Sequence, residues 1–397
     1  MVHPSRPIRF AIAGLGSAGS ALIMPVLRNP AFSLAAAADN DDAIRARFGA
    51  DFPDAVVFSS VESLAESDTA DVIFVATPTH LHGEHVLAAI QGGKHVISEK
   101  PIATNLDEAL RVIEAADEAG VLFMVGHSFG YEAPIREMRR IVREGTLGAL
   151  RMMHNWYFTD WLYRPRVPEE LDTALGGGVT FRQGSHQIDI IRLIGGGRVR
   201  SVRAMTGSWD PSRPAIGAHT IFLEFEDSVA ATAVYSGYDR FRSAELGFAV
   251  GEGGRPVDLS HYGGARRALA AARDDESGLK QRNRYGGVRN RMGRTDTPAH
   301  QPFYGLTVVS CERGDMRQSP EGLLVYGLDG RRNLPLERGR NGRDQILREF
   351  HDALTSGTAP LHDGRWGVAN LEVCLAAMRS AREHKEITLS HQRAVDD

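Results

Sequence analysis

The chain has 397 residues, 42% of them hydrophobic and 24% charged, with a formal net charge of −4. That length exceeds the roughly 250–300 residues at which a single core stops growing, so two domains are expected, and the charge gives no general attraction to nucleic acid or an anionic membrane. Two cysteines, Cys311 and Cys374, are too few for a disulfide framework. With no signal-peptide pattern and no run of roughly 18 apolar residues, a cytoplasmic protein is expected.

In chain order, apolar runs predict strands over Ile8–Ala13, Phe32–Ala38, Val56–Phe58, Val72–Ala76, His95–Ser98 and Val121–Val125. Helices are predicted between them over Ser17–Arg28, Asp41–Phe48, Val61–Ala65, Leu81–Gln91 and Asn105–Ala119. The last is best marked, with Asn105 as N-cap, Asp107 and Glu108 in the first turn, and Gly120 at its end. Alternating apolar strands and helices imply an α/β domain over residues 1–127, a doubly wound parallel sheet covered on both faces.

The first strand runs into Gly14-Leu15-Gly16-Ser17-Ala18-Gly19, and Asp39 closes the second strand twenty residues after Gly19. Gly14 suits a tight turn, Gly16 lets backbone approach a pyrophosphate, and Gly19 lets the helix sit close to the strand. The N–H groups of Ser17 and Ala18 then lie at the positive end of the helix dipole. Asp39 would accept hydrogen bonds from the adenosine ribose diol and repel a 2′-phosphate. NAD is therefore expected over NADP, with Asn40 alongside and no neighbouring arginine to hold that phosphate.

Thr77, Pro78, His80 and His82 follow the fourth strand, where the cofactor crevice of such a sheet lies. His80, His82 and His85 have no carboxylate at matching spacing, so cofactor-edge roles are expected and no metal. The fifth strand delivers Glu99-Lys100-Pro101. Lys100 could serve there as a general acid or base, although the local sequence on its own favours a surface lysine after a strand.

After His127, itself a candidate substrate contact, the pattern changes. A helix is predicted over Glu132–Glu144, then longer strands over Ala149–Phe158, Val199–Ser208, Ala218–Phe225, Val229–Ser236 and Ala244–Val250. Helices are predicted over Gly184–Ile194 and Trp366–Glu383. Strands joined by short links predict an α+β domain over residues 128–397, with a large, mainly antiparallel sheet flanked by helices. Residues 263–301 form a basic insertion containing Arg266, Arg267, Arg273, Lys280, Arg282, Arg284, Arg289, Arg291 and Arg294. It reads as a solvated insertion, as an arm on a neighbouring subunit, or as a flap attracting an acidic substrate.

These motifs together resemble the Gfo/Idh/MocA oxidoreductase family. The resemblance rests on the glycine turn, Ala76-Thr77-Pro78-Thr79-His80 with His82, Glu99-Lys100-Pro101, and Gly176-Gly177-Gly178 leading to His186. It implies a Rossmann first domain, NAD as cofactor, and catalytic roles for Lys100 and His186, with Glu99 beside the cofactor. In one respect the chain departs from the family pattern, placing Arg182 where an aspartate usually stands four residues before the histidine. That arginine either turns to solvent or to a neighbouring acid, or offers a bidentate site to a substrate carboxylate. The block containing Trp161, Tyr163, Arg164 and Arg166 is similar to the phthalate 4,5-cis-dihydrodiol dehydrogenase subgroup. The resemblance thus implies oxidation of a small carboxylated cis-dihydrodiol, with a sugar, inositol or sugar-acid dehydrogenase as the alternative and a non-catalytic NAD-binding sensor as a further one. A homodimer or homotetramer is expected by analogy.

Overall fold

In the computed structural model, which describes residues 6–260, 262–272, 275–288, 290, 298–338 and 342–395, the chain divides into two units. The first comprises Met1–His127, Ser277–Thr295 and Arg343–Val368; the second comprises Ser128–Glu276, Asp296–Gly342 and Ala369–Asp397. The break at His127 falls where the sequence places it, and two later segments cluster with the first unit as well.

The first unit is built on β1 (Ile8–Ala13), α1 (Ser17–Arg28), β2 (Phe32–Ala38), α2 (Asp42–Asp51), β3 (Val56–Phe58), α3 (Val61–Glu66), β4 (Val72–Val75), α4 (His82–Gln91), β5 (His95–Ser98), α5 (Leu106–Ala119) and β6 (Phe123–Val125). Its six strands pair in parallel in the order β3-β2-β1-β4-β5-β6. The order reverses between β1 and β4, so the turns after these two strands flank the point where such sheets take their ligands. Phe10, Ile12, Ile73, Val75 and Ile97 are buried in the sheet, as expected of strands covered on both faces. The Asn105 side chain accepts from the Glu108 N–H at 2.9 Å to start α5, and Gly120, at φ +63°, ends it.

The remaining elements are α6 (Ala133–Arg143), β7 (Leu150–Phe158), α7 (Pro168–Leu171), α8 (Ser185–Gly195), β8 (Val199–Gly207), β9 (Ala218–Phe225), β10 (Ala230–Ser236), α9 (Gly264–Ala271), α10 (Glu276–Gln281), β11 (Leu306–Cys311), β12 (Gly314–Ser319), β13 (Gly322–Gly327), β14 (Gly330–Pro335), α11 (Gly342–Ser356), α12 (Gly364–Glu383) and β15 (Ile387–Thr388). The second unit carries a nine-stranded sheet in the order β14-β13-β12-β11-β7-β10-β9-β8-β15, antiparallel except for β7 beside β10. One face packs against α8, which also contacts α6.

Two expectations change here. Ala244–Val250 is not a strand: a short 3-10 turn occupies Ser243–Glu245, and Phe248 and Ala249 adopt φ of +59° and +55°. That left-handed backbone cannot continue a ladder. The insertion contains α9 and α10, while Arg273, Arg289, Arg291 and Arg294 lie outside the described residues. Among the described residues no helix is long and apolar enough to cross a membrane.

Candidate functional site

The turn after β1 is dictated by its glycines. Gly14 has φ +92°, and a Cβ there would lie 2.7 Å from the Ala76 carbonyl oxygen. A Cβ on Gly19 would lie 1.9 Å from the Gly14 carbonyl oxygen, so only glycine lets α1 approach β1 this closely. Gly16 differs, with nothing within 4 Å of where its Cβ would stand. That open space is what a pyrophosphate requires. Gly16 caps α1 without a side-chain hydrogen bond, and no acid occupies the first turn. The helix start, with Ser17 and Ala18, therefore presents its N–H groups and positive dipole end to an anion.

Asp39 is buried at the end of β2. One carboxylate oxygen accepts from the Leu15 N–H at 2.8 Å and the other from the Asp41 N–H at 3.0 Å. Asn40 is exposed beside it. The acid thus meets the glycine turn from the adjacent strand, and the residues present fit a dinucleotide.

The loop after β4 is tied down from within. One His82 ring nitrogen lies 2.7 Å from the Pro101 carbonyl oxygen and the other 2.9 Å from that of Thr77, and the residue is 2% exposed. His82 therefore joins the Thr77 loop to the loop after β5. The Thr77 hydroxyl lies 2.8 Å from a ring nitrogen of His85, whose pKa burial lowers. Pro78 is exposed and His80 half-buried. Glu99 and Lys100 are half-buried directly after β5, where the Glu99 N–H donates to the Val75 carbonyl at 2.8 Å. His127 is buried with its ring 5.9 Å from that of His362. Among the described residues no three His, Cys, Asp or Glu groups are placed to hold a metal ion.

In the second unit, His186 occupies the first turn of α8, directly after a π-helical turn over Thr180–Gly184. It is 7% exposed. The Phe129 ring stands edge-on to it at 4.7 Å and the Tyr304 ring at 5.0 Å. Behind it lies a buried polar chain that sequence reasoning missed. His219 sits 3.2 Å from the Thr180 hydroxyl and 2.9 Å from the Gln187 amide oxygen. The Gln187 amide nitrogen donates to the Asn155 side-chain oxygen at 2.6 Å, and the Asn155 amide donates to the Thr307 hydroxyl at 2.9 Å. Burial pushes the pKa of His219 down to about 3, so the ring is neutral near pH 7. Its Nε2–H donates to Gln187 and its Nδ1 accepts from Thr180. A sequence signal did exist, since His219 and Asn155 fall at inward positions of β9 and β7, in line with Ile221 and Met153.

The arginines expected to meet substrate are anchored by acids. Arg182 lies 3.0 Å from a Glu170 carboxylate oxygen, and Arg166 lies 3.4 Å from the same oxygen. Arg166 also donates to the Trp161 carbonyl at 2.9 Å and stacks over its ring at 3.9 Å. Burial, with Arg182 and Arg164 nearby, pulls its pKa down to about 10. Arg164 pairs with Asp160 at 2.8 Å, and the Tyr163 hydroxyl donates to Asp210. Trp161 is 1% exposed and Tyr163 is buried. Arg166, Trp161 and Tyr163 are thus buried among these contacts, whereas the Arg182 side chain keeps 27% exposure. One Glu170 carboxylate oxygen thus holds both the Arg166 and the Arg182 guanidinium groups.

Residues 8–127 match the oxidoreductase family with an NAD-binding Rossmann fold, and residues 135–255 match the GFO/IDH/MocA C-terminal domain. The chain is 33% identical over 377 residues, 94% of its length and 95% of the relative's, to 1-carboxy-3-chloro-3,4-dihydroxycyclo hexa-1,5-diene dehydrogenase of Comamonas testosteroni. It is 36% identical over 143 residues, 35% of its length and 38% of the relative's, to the NADP-dependent scyllo-inositol 2-dehydrogenase IolW of Bacillus subtilis. A crystal structure of a Bordetella bronchiseptica RB50 protein superposes with a TM-score of 0.89 at 41% identity, covering 96% of this chain and 100% of that one. With a cradle for a dinucleotide in one unit, a histidine-bearing helix against a large sheet in the other, and full-length likeness to a dehydrogenase, the chain belongs to the GFO/IDH/MocA family of nicotinamide-dependent oxidoreductases.

Proposed function

We propose that this enzyme oxidises a carboxylated cis-dihydrodiol to the corresponding catechol while reducing NAD. The 4,5-cis-dihydrodiol of phthalate, giving 4,5-dihydroxyphthalate, is the first substrate to test. The observation that carries this reading is the cluster of Arg166, Glu170 and Arg182. Glu170 gathers both guanidinium groups, and Arg182, one turn before His186, keeps 27% exposure there, a donor fork of the kind a substrate carboxylate takes. The Comamonas relative, whose name specifies a carboxylated dihydroxycyclohexadiene, supports the same substrate class.

Bound NAD supplies the hydride acceptor at nicotinamide C4. Lys100 takes the hydroxyl proton from the carbon that loses hydride, so one C–H and one O–H bond break as the carbonyl forms. Loss of the neighbouring ring proton then gives the aromatic catechol, which makes the overall change strongly favourable. His186, braced by Phe129 and Tyr304, orients the second hydroxyl. Arg182, with its guanidinium aligned by Glu170, fixes a ring carboxylate and with it the ring angle.

With purified protein, NAD and the dihydrodiol, absorbance at 340 nm is expected to rise. Lys100→Ala should abolish the rise, and Arg182→Asp should increase KM at least tenfold. Turnover retained by Lys100→Ala would overturn the proton-acceptor role. Turnover of inositol or uronic acids but not of dihydrodiols would overturn the substrate class.

We also propose that two copies associate through the sheet face opposite α8. There Met152, Trp156, Met205 and Phe222 share one side and are each at least 41% exposed. An apolar surface of this kind in a monomer marks an interaction site.

A further inference from the structure

The acid expected to read the adenosine ribose does not stand alone. Arg284, from the basic insertion, places one guanidinium nitrogen 3.1 Å from an Asp39 carboxylate oxygen and the other 3.3 Å from Asp41. Its position is built into the unit. The Tyr285 N–H donates to the Leu15 carbonyl at 3.0 Å, inside the glycine turn itself. The Tyr285 ring is buried edge-on to Phe48 at 5.4 Å, and its hydroxyl donates to Asp51 at 2.7 Å. The Asn290 side chain donates to the Arg284 carbonyl at 2.7 Å.

A carboxylate offers roughly four acceptor positions, and three on Asp39 are taken, by the Leu15 N–H, the Asp41 N–H and Arg284. One remains for a ribose diol that brings two hydroxyl donors. A 2′-phosphate carries acceptors instead, and it would meet a planar cation rather than two bare carboxylates. Asp39 and Asp41 alone would present two negative charges, whereas Arg284 halves that and adds a fork suited to phosphate. The Arg284 side chain is 28% exposed, so it can turn from one acceptor to another.

We infer that Arg284 is a cofactor-selectivity residue, delivered by the insertion to the adenosine end of the dinucleotide site, which cancels the discrimination of Asp39 against a 2′-phosphate and lets the chain take NADP beside NAD. The inference rests on the dinucleotide site alone and is independent of the substrate.

Equilibrium binding without substrate tests it, by titrating NADH and NADPH and following the fluorescence of the bound reduced nicotinamide. Adenosine 5′-monophosphate and adenosine 2′,5′-bisphosphate serve as competitors that probe the adenosine end. The wild-type Kd values for NADH and NADPH should lie within about tenfold of each other. Arg284→Ala should raise the ratio of the NADPH Kd to the NADH Kd at least tenfold, about 1.4 kcal/mol, mainly by weakening NADPH. Arg284→Lys, which keeps the charge without the fork, should fall between, and it covers the case in which the alanine variant folds poorly. An unchanged ratio in both variants overturns the inference. So does equal tightening of both cofactors, which would make Arg284 an occluding group.

Discussion

Replacing His219 with glutamine tests whether the polar chain behind His186 stands on a neutral imidazole. Glutamine can reproduce both contacts, accepting from Thr180 and donating to Gln187, but it does not titrate. Above pH 6.5 the folded and unfolded imidazoles are both neutral, and protonation changes nothing. Below pH 6.5 the unfolded chain takes up a proton that the folded protein refuses until pH is about 3. Stability therefore falls as pH drops through that window. At about 1.36 kcal/mol per unit of pH, the loss at pH 5 is about 2 kcal/mol. For a unit of this size that corresponds to roughly 4–8 °C in Tm. The assay is thermal unfolding at pH 7.5 and pH 5.0 for both proteins, compared as a double difference so that other histidines cancel. The wild type should lose about 4–8 °C more than His219→Gln. Parallel losses would refute the reasoning.

Glu170→Gln leaves Arg166 and Arg182 facing each other at a buried site, and loss of one partner of a buried pair costs about 3–5 kcal/mol. Its Tm should fall by roughly 10 °C, and adding Arg182→Gln should recover part of the loss; differential scanning calorimetry reads both. If two copies associate through the apolar sheet face, Trp156→Glu puts a charge there and should lower the mass to that of a monomer in size-exclusion chromatography with light scattering. An unchanged mass would remove that face as the interface.

Much of the first unit is legible in the sequence because its order is local. β1, β2, β3 and β5 fall on the runs that predict them, and the caps Asn105 and Gly120 work as their types suggest. In the second unit the limits are physical. β14 carries Arg331, Arg332 and Asn333 on an exposed edge, so no apolar alternation marks it. Ala244–Val250 has strand-like composition, but its backbone turns left-handed at Phe248 and Ala249. The candidate site divides in the same way. Gly14, Gly16, Gly19 and Asp39 announce themselves through spacing, whereas the pairing of Arg182 with Glu170, or of Arg284 with Asp39, joins residues that no local pattern connects.

The return of later segments to the first unit bears on modularity. Tyr285 fills the space beside Phe48 and Phe52, and the bridge between Met124 and Asp363 extends the sheet edge at β6. Gly364 approaches Ile113 and Phe123 so closely that a Cβ there would lie 2.4 Å from the nearest atom. A fragment ending at His127 would keep every residue of the glycine turn yet lose its plug and its edge. The dinucleotide-binding half is therefore no transferable cassette, and grafting it onto another substrate domain requires carrying the two returning segments with it.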